Sequence, residues 1–204
     1  MSLANYTDLQ ASVASWMNRT DLGSVIPDFI SIAESRIARD LRLRKQITSG
    51  TLTAVAGTRS VALPADWLEF SNLTLATSPY SLLQVTTTEH LNAQYPDDGW
   101  TGVPVLCAIE GDSLLFGPVP DAAYTVNVDY FTRFPDLASN STNWLLTNFP
   151  NVYLSACLAQ GCLFTLDKTG AAEWNAVYKS EIAEVQRYDD EAVHSGSVLR
   201  VKAV

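Results

Sequence analysis

The chain has 204 residues, 47% hydrophobic and 17% charged, with a formal net charge of −9. That composition supports a packed core of one to one and a half domains and excludes intrinsic disorder, and three cysteines speak for buried thiols in a reducing compartment rather than a disulfide framework. A general nucleic-acid binder is also excluded: between residues 60 and 160 the only basic side chain is Arg133, against ten acids, so that region repels phosphate.

The opening "MSLANYTDLQ" has neither the basic nor the apolar region of a signal peptide. Thr7 with Gln10 forms a capping-box pattern, and Leu9, Val13 and Trp16 follow at helical spacing. Gly23 and Pro27 interrupt this first helix. A second helix is predicted from Asp28 to Lys45, with Ile30, Ala33, Ile37 and Leu41 as its apolar stripe.

After Gly50 the hydrophobic period becomes two. "TLTAVAGTRSVALP" reads as a hairpin around Gly57, "FSNLTLAT" and "YSLLQVTT" as strands, and "EHLNAQY" as a short helix. "VPVLCAIEGDSLLFGPVP" reads as two strands joined across Glu110-Gly111-Asp112, and "YTVNVDYFTRFP" closes the β region.

Helix is expected again from Pro150, in "FPNVYLSACLAQGCLFTL", which is apolar on nearly every side. Ala156, Ala159 and Gly161 permit close helix contact there. The uncharged run between Asp136 and Asp167 leaves roughly 15 residues of continuous apolar helix against the 20 a membrane span needs, so a buried core helix is expected and no membrane partner. Gly170 is expected to break the chain before an amphipathic helix carrying Trp174, Val177, Tyr178, Ile182 and Val185. Residues 191–204 read as an extended arm.

The fold class is therefore α+β, mainly helical: a four-helix core, two helices N-terminal and two C-terminal, with an antiparallel β-rich insertion and an extended C-terminal arm. The divisions are 1–48 for the first helical pair, 49–136 for the insertion, 137–190 for the second pair and 191–204 for the arm.

Chemical motifs are few. Gly111-Asp112-Ser113-Leu114 matches the short motif of GDSL-type esterases, with Glu191 and His194 as candidate acid and base. Such a nucleophile sits after a parallel strand at the start of a helix; here it lies in a hairpin turn, with no source of oxyanion donors in view. The esterase remains an alternative on four letters only. Cys157 and Cys162 are five apart on one helix, turned more than 100° from each other, and neither His90 nor His194 has a partner at ligand spacing. No catalytic residue, metal or cofactor is expected.

Five of the thirteen basic residues, Arg36, Arg39, Arg42, Arg44 and Lys45, fall within ten positions. They read as a solvated helix end, or as an assembly surface that meets an acidic protein neighbour; a grip on DNA comes third, because no aromatic residues interleave. Within the arm, Ser197, Val198, Leu199, Arg200 and Val201 are candidates for binding a partner protein by strand addition.

"FISIAESRIARDLRLRK", "SVALPADWLEF", "CAIEGDSLLFGPVPDAAYTVNVDYFTRFPDL", "NWLLTNFPNVYLSACLAQG" and "AAEWNAVYKSEIAEV", taken in that order, resemble the head-to-tail connector (adaptor) proteins of tailed bacteriophages. The resemblance covers most of residues 29 to 185 and contains no catalytic signature. It implies a non-enzymatic virion protein of the neck, assembled in the host cytoplasm as a ring of twelve copies. The partners it implies are the portal protein and the tail or nozzle proteins, with DNA passing through the channel. A soluble binding module unrelated to virions is the other alternative.

Overall fold

The computed structural model describes residues 3–193. The chain divides into two compact units, residues 1–45 with 134–204, and residues 46–133.

The first unit is helical. Helix α1 (Tyr6–Trp16) starts earlier than the capping-box reading placed it: Asn5 is the N-cap, and its side-chain oxygen accepts the Asp8 N–H at 2.9 Å. Helix α2 spans Ile26–Asp40, with Pro27 in its first turn, where a missing N–H costs nothing. It stops five residues short of the Lys45 end expected from the sequence. Leu41 and Leu43 are both wholly buried, a spacing of two that a helix cannot aim at one core, and Leu41 accordingly adopts extended backbone. Two short helices, α4 (Leu137–Asn140) and α5 (Trp144–Asn148), precede α6 (Pro150–Phe164) and α7 (Lys168–Val193).

Helix α6 is the axis of this unit. Nine of its fifteen residues, on all sides, are buried, which is why its sequence shows no polar face. It packs with α1, α2, α5 and α7. The break after it comes at Leu166, whose φ of 62° ends the helix, and not at Gly170 as the sequence suggested. Gly170 lies in the first turn of α7, where its N–H donates to Asp167 Oδ1 at 3.0 Å. Helix α7 then runs on to Val193, so Glu191 to Val193 are helical and not part of an extended arm; the rest of that arm lies outside the described residues.

Glu34 on α2 holds α4 in place: its Oε1 accepts the N–H of the fully buried Leu137 at 2.7 Å. Partial burial pushes the Glu34 carboxyl above its usual range, opposed by the Leu137 N–H and reinforced by the nearby Asp136 charge. A carboxyl with a raised folded-state pKa gives stability that is complete below its unfolded value and is lost as pH rises through the folded one. Glu34→Gln keeps the acceptor and removes the charge. Its urea stability relative to wild type should therefore rise from pH 4 to pH 7, and a flat difference would refute the assignment. Glu34→Ala, which orphans a buried N–H, should cost about 1–3 kcal/mol at either pH.

The second unit holds two four-stranded sheets. In the first, the order is β1 (Ile47–Ala54), β10 (Tyr124–Thr132), β3 (Trp67–Leu75), β4 (Ser81–Leu82), all antiparallel. In the second, it is β2 (Ser60–Ala62), β8 (Ser113–Gly117), β7 (Leu106–Glu110), β5 (Gln84–Thr86). The expected hairpin around Gly57 does not form, because β1 and β2 join different sheets. "YSLLQVTT" likewise divides into β4 and β5, one strand at the edge of each sheet, with Leu83 buried between them. Nor is the insertion wholly antiparallel: β5 runs parallel to β7, and β6 (Thr101–Gly102) parallel to β9 (Val119–Pro120). The Gly111–Asp112 turn does join β7 to β8 as read, with Glu110 opposite Ser113 and Gly111 at a φ of 56°.

The sheets share a core. Leu73, Leu75, Val126, Val128 and Tyr130 from the first meet Cys107, Leu114 and Phe116 from the second. Helix α3 (Thr88–Gln94) covers the other face of β7 and β8, where Leu91 packs on Leu106, Ala108 and Leu115. A seven-residue helix does not persist alone; burying Leu91 completely contributes about 1.5–3 kcal/mol towards holding it. Gly117 permits the close approach: a Cβ there would lie 2.6 Å from Leu91 Cδ1 and 2.7 Å from Tyr95 Cδ2. Gly117→Ala should therefore destabilise by about 1–3 kcal/mol through displacement of α3, measurable as a lower urea midpoint.

A candidate assembly surface

The basic run at the end of α2 is largely consumed within its own unit. Arg36 lies over the Tyr178 ring, 3.9 Å from its centroid, donates to Asn175 Oδ1 at 2.5 Å and approaches Asp40 at 3.5 Å. Tyr178 donates its hydroxyl to the same Asp40 carboxylate at 2.9 Å, and Gln186 donates to the Asp40 carbonyl at 3.2 Å. Arg42 turns back on its own helix and donates to the carbonyls of Ala38 and Leu41 at 2.6 and 2.9 Å, acceptors that the helix end leaves open. Arg44 is fixed twice by the buried Asp189: its backbone N–H and its Nε each donate to one carboxylate oxygen at 3.0 Å. Arg39, Arg44 and Lys45 remain exposed.

The run is thus first a clamp. It ties α2 and the extended segment after it to Asn175, Tyr178, Gln186 and Asp189 of α7. Beside it opens a cleft of about 260 Å³, floored by Ala159, Ala171 and Ala172 and rimmed by Arg36 and Lys168.

A second surface was not singled out from the sequence. Trp16 is 58% exposed, Phe164 53% and Leu166 84%, with Leu163 and Ile32 also exposed. Two of them, Trp16 and Phe164, are tied by ring contacts to the region where α1 and α6 end and α2 and α7 begin. Trp16 meets Trp174 edge-on at 5.5 Å, Phe164 meets Phe29 at 5.5 Å, and Met17 and Phe29 lie beside Gly161. Large apolar side chains left this exposed make the region a candidate contact surface. The signal available in the sequence was the missing polar face of α6: its first turns are buried by neighbours, and its last turn leaves the apolar Leu163 and Phe164 more than half exposed.

Among the described residues the remaining candidate chemistry is not assembled. Ser113 is the first residue of β8, paired with Ala62 on one side and Glu110 on the other, and a strand rather than a helix follows it. Glu191 is an exposed residue of α7; His194 and the arm residues Ser197 to Val201 lie outside the described residues. Burial pushes the Cys107 thiol up to about 12 and the wholly buried Cys157 thiol higher, which suppresses the reactive thiolate of both. Among the described residues no three His, Cys, Asp or Glu side chains form a metal-binding group, and no helix is long and apolar enough to cross a membrane.

No curated protein matches the chain. The family model described as SU10 adaptor protein matches residues 4–201, nearly its whole length, which agrees with the resemblance to head-to-tail connectors of tailed bacteriophages. With the second unit wholly and the first almost wholly inside that match, the chain belongs to the SU10 adaptor protein family.

Proposed function

We propose that the protein is a structural component of the virion neck: a connector that closes into a ring, of twelve copies, below the portal, joins the portal to tail or nozzle proteins, and lets DNA pass without reading its sequence. The family match over residues 4–201 carries this reading. Surface chemistry supports it. Residues 46–133 hold nine acids against Arg59 and Arg133, so a duplex passing such a surface is repelled and slides. The apolar patch around Phe164 and Leu166 suits burial between subunits, and exposed Arg39 and Lys45 suit an acidic neighbour. Residues 197–201 supply the strand-forming contact to the portal or a neighbouring copy. No catalytic step is assigned to the chain.

Light scattering of the purified protein with and without its cognate portal tests the reading. Assembly into a large ring, alone or on the portal, is the expected result. A monomer that leaves the portal unbound would overturn it.

A further inference from the structure

Strand β1 is the outermost member of its sheet and, at eight residues, the longest edge strand of the unit; β2, β4 and β5, the other edges of the two four-stranded sheets, have three, two and three. Proteins guard such edges with charge, proline, bulges or brevity. The sequence "ITSGTLTA" contains no charged residue and no proline, and its eight successive pairings with β10 proceed without a register shift, whereas the β10–β3 ladder shifts twice. Alternate residues of β1 therefore direct N–H and C=O groups away from β10, a row suited to receiving another strand.

The two faces beside that row differ. On the inner face, Leu52 and Ala54 belong to the shared core with Val126 and Val128. On the outer face, Ser49, Thr51 and Thr53 are exposed, and Ser49 Oγ donates to Asp129 Oδ1 at 2.6 Å. An incoming strand fits if it alternates apolar residues with cationic ones.

Within residues 194–204, "HSGSVLRVKAV", Leu199, Val201 and Ala203 alternate with Arg200 and Lys202, and no acid is present. We infer that residues 197–203 of a second copy add as a strand to the free edge of β1, with Leu199 and Val201 extending the core beside Leu52 and with Arg200 and Lys202 on the outer face that holds Asp129. The use of a second copy as donor rests on the ring reading above. Charge selects this occupant over a second β1: two units of nine acids and two bases each oppose edge-to-edge pairing, whereas a segment with two cations and no acid is attracted.

The test uses full-length chains in a Cys162→Ser background, since Cys107 and Cys157 are buried. Thr51→Cys protein is mixed with protein carrying cysteine at 199, 200, 201 or 202 and is then oxidised. Covalent pairs are expected from Arg200→Cys or Lys202→Cys, at least about tenfold more than from Leu199→Cys or Val201→Cys, whose side chains point to the other face. Val201→Pro should lower hydrogen-exchange protection of the outward β1 amides at least about tenfold. Rings that form without these pairs overturn the inference and leave the connector reading standing; a persistent monomer overturns both. A bond that forms only within one chain carrying both cysteines, or β1 protection that appears only on adding portal, overturns the second copy as donor.

Discussion

Replacing Phe164 and Leu166 together by glutamate is expected to weaken ring or portal association at least about a hundredfold while leaving the subunit folded. Removing one large apolar side chain from a contact costs about 1.5–3 kcal/mol, and about 1.4 kcal/mol is a factor of ten, so two such losses account for the effect before any repulsion from the added charge on an already acidic protein. Both residues are more than half exposed, so their loss removes little from the subunit's own core, apart from the Phe164 contact with the Phe29 ring. Leu166→Asn is the informative control: asparagine tolerates the φ of 62° better than leucine does, so this change should hold or raise thermal stability and still weaken association. Sedimentation of each variant with portal checks the expectation. Unchanged association in the double variant would show that the patch faces solvent in the assembly.

Asn143→Ala is expected to destabilise the helical unit by about 3 kcal/mol, the largest single loss named here. Asn143 is 7% exposed and uses both ends of its amide. Its Oδ1 caps α5 by accepting the Leu146 N–H at 2.9 Å, while its Nδ2 donates to the Pro135 carbonyl at 3.0 Å and to the Tyr153 hydroxyl at 2.9 Å. Alanine leaves these groups without their partner in a site too dry to replace it, as the upward push of burial on the Tyr153 hydroxyl indicates. Asn143→Asp keeps the cap but loses both donated bonds and adds a charge in a buried place. Its deficit should be smaller at pH 4 than at pH 7, because such a carboxyl is protonated more readily in the folded state than in the unfolded one. Urea denaturation at the two pH values reads both variants; an alanine variant within 1 kcal/mol of wild type would show that the network is not a support of the fold.

The two regions differ in how far the sequence predicts them. Where one periodicity governs a long segment, the expectation and the structure agree: α6 as a buried helix, α7 as an amphipathic one, β10 as a strand, and the β7–β8 turn at Gly111 all come from local pattern. Errors gather where neighbours decide. Helix α2 looked five residues longer because Leu41 continues the stripe that Ile30, Ala33 and Ile37 begin; burial of Leu43 as well requires extended backbone there. Strands β1 and β2 looked like a hairpin because a glycine stands between two alternating runs, and nothing local says that their partners, β10 and β8, lie in different sheets.

The basic run shows the same division at the level of function. Composition alone established that five cations gather in an otherwise acidic chain, and that the β-rich region is strongly acidic. A helical wheel could not show that Arg36 would find Asn175 and the Tyr178 ring, or Arg44 would find Asp189, since partners more than 130 positions away are brought there only by the packing of α2 against α6 and α7. By itself the sequence determined the fold class and the charge of each region, because these follow from composition and short-range period. The tertiary structure alone decided which cations are held inside the subunit and, among the described residues, which apolar side chains are left exposed and which strands lie at a sheet edge. Each of those depends on what long-range packing covers and what it leaves uncovered.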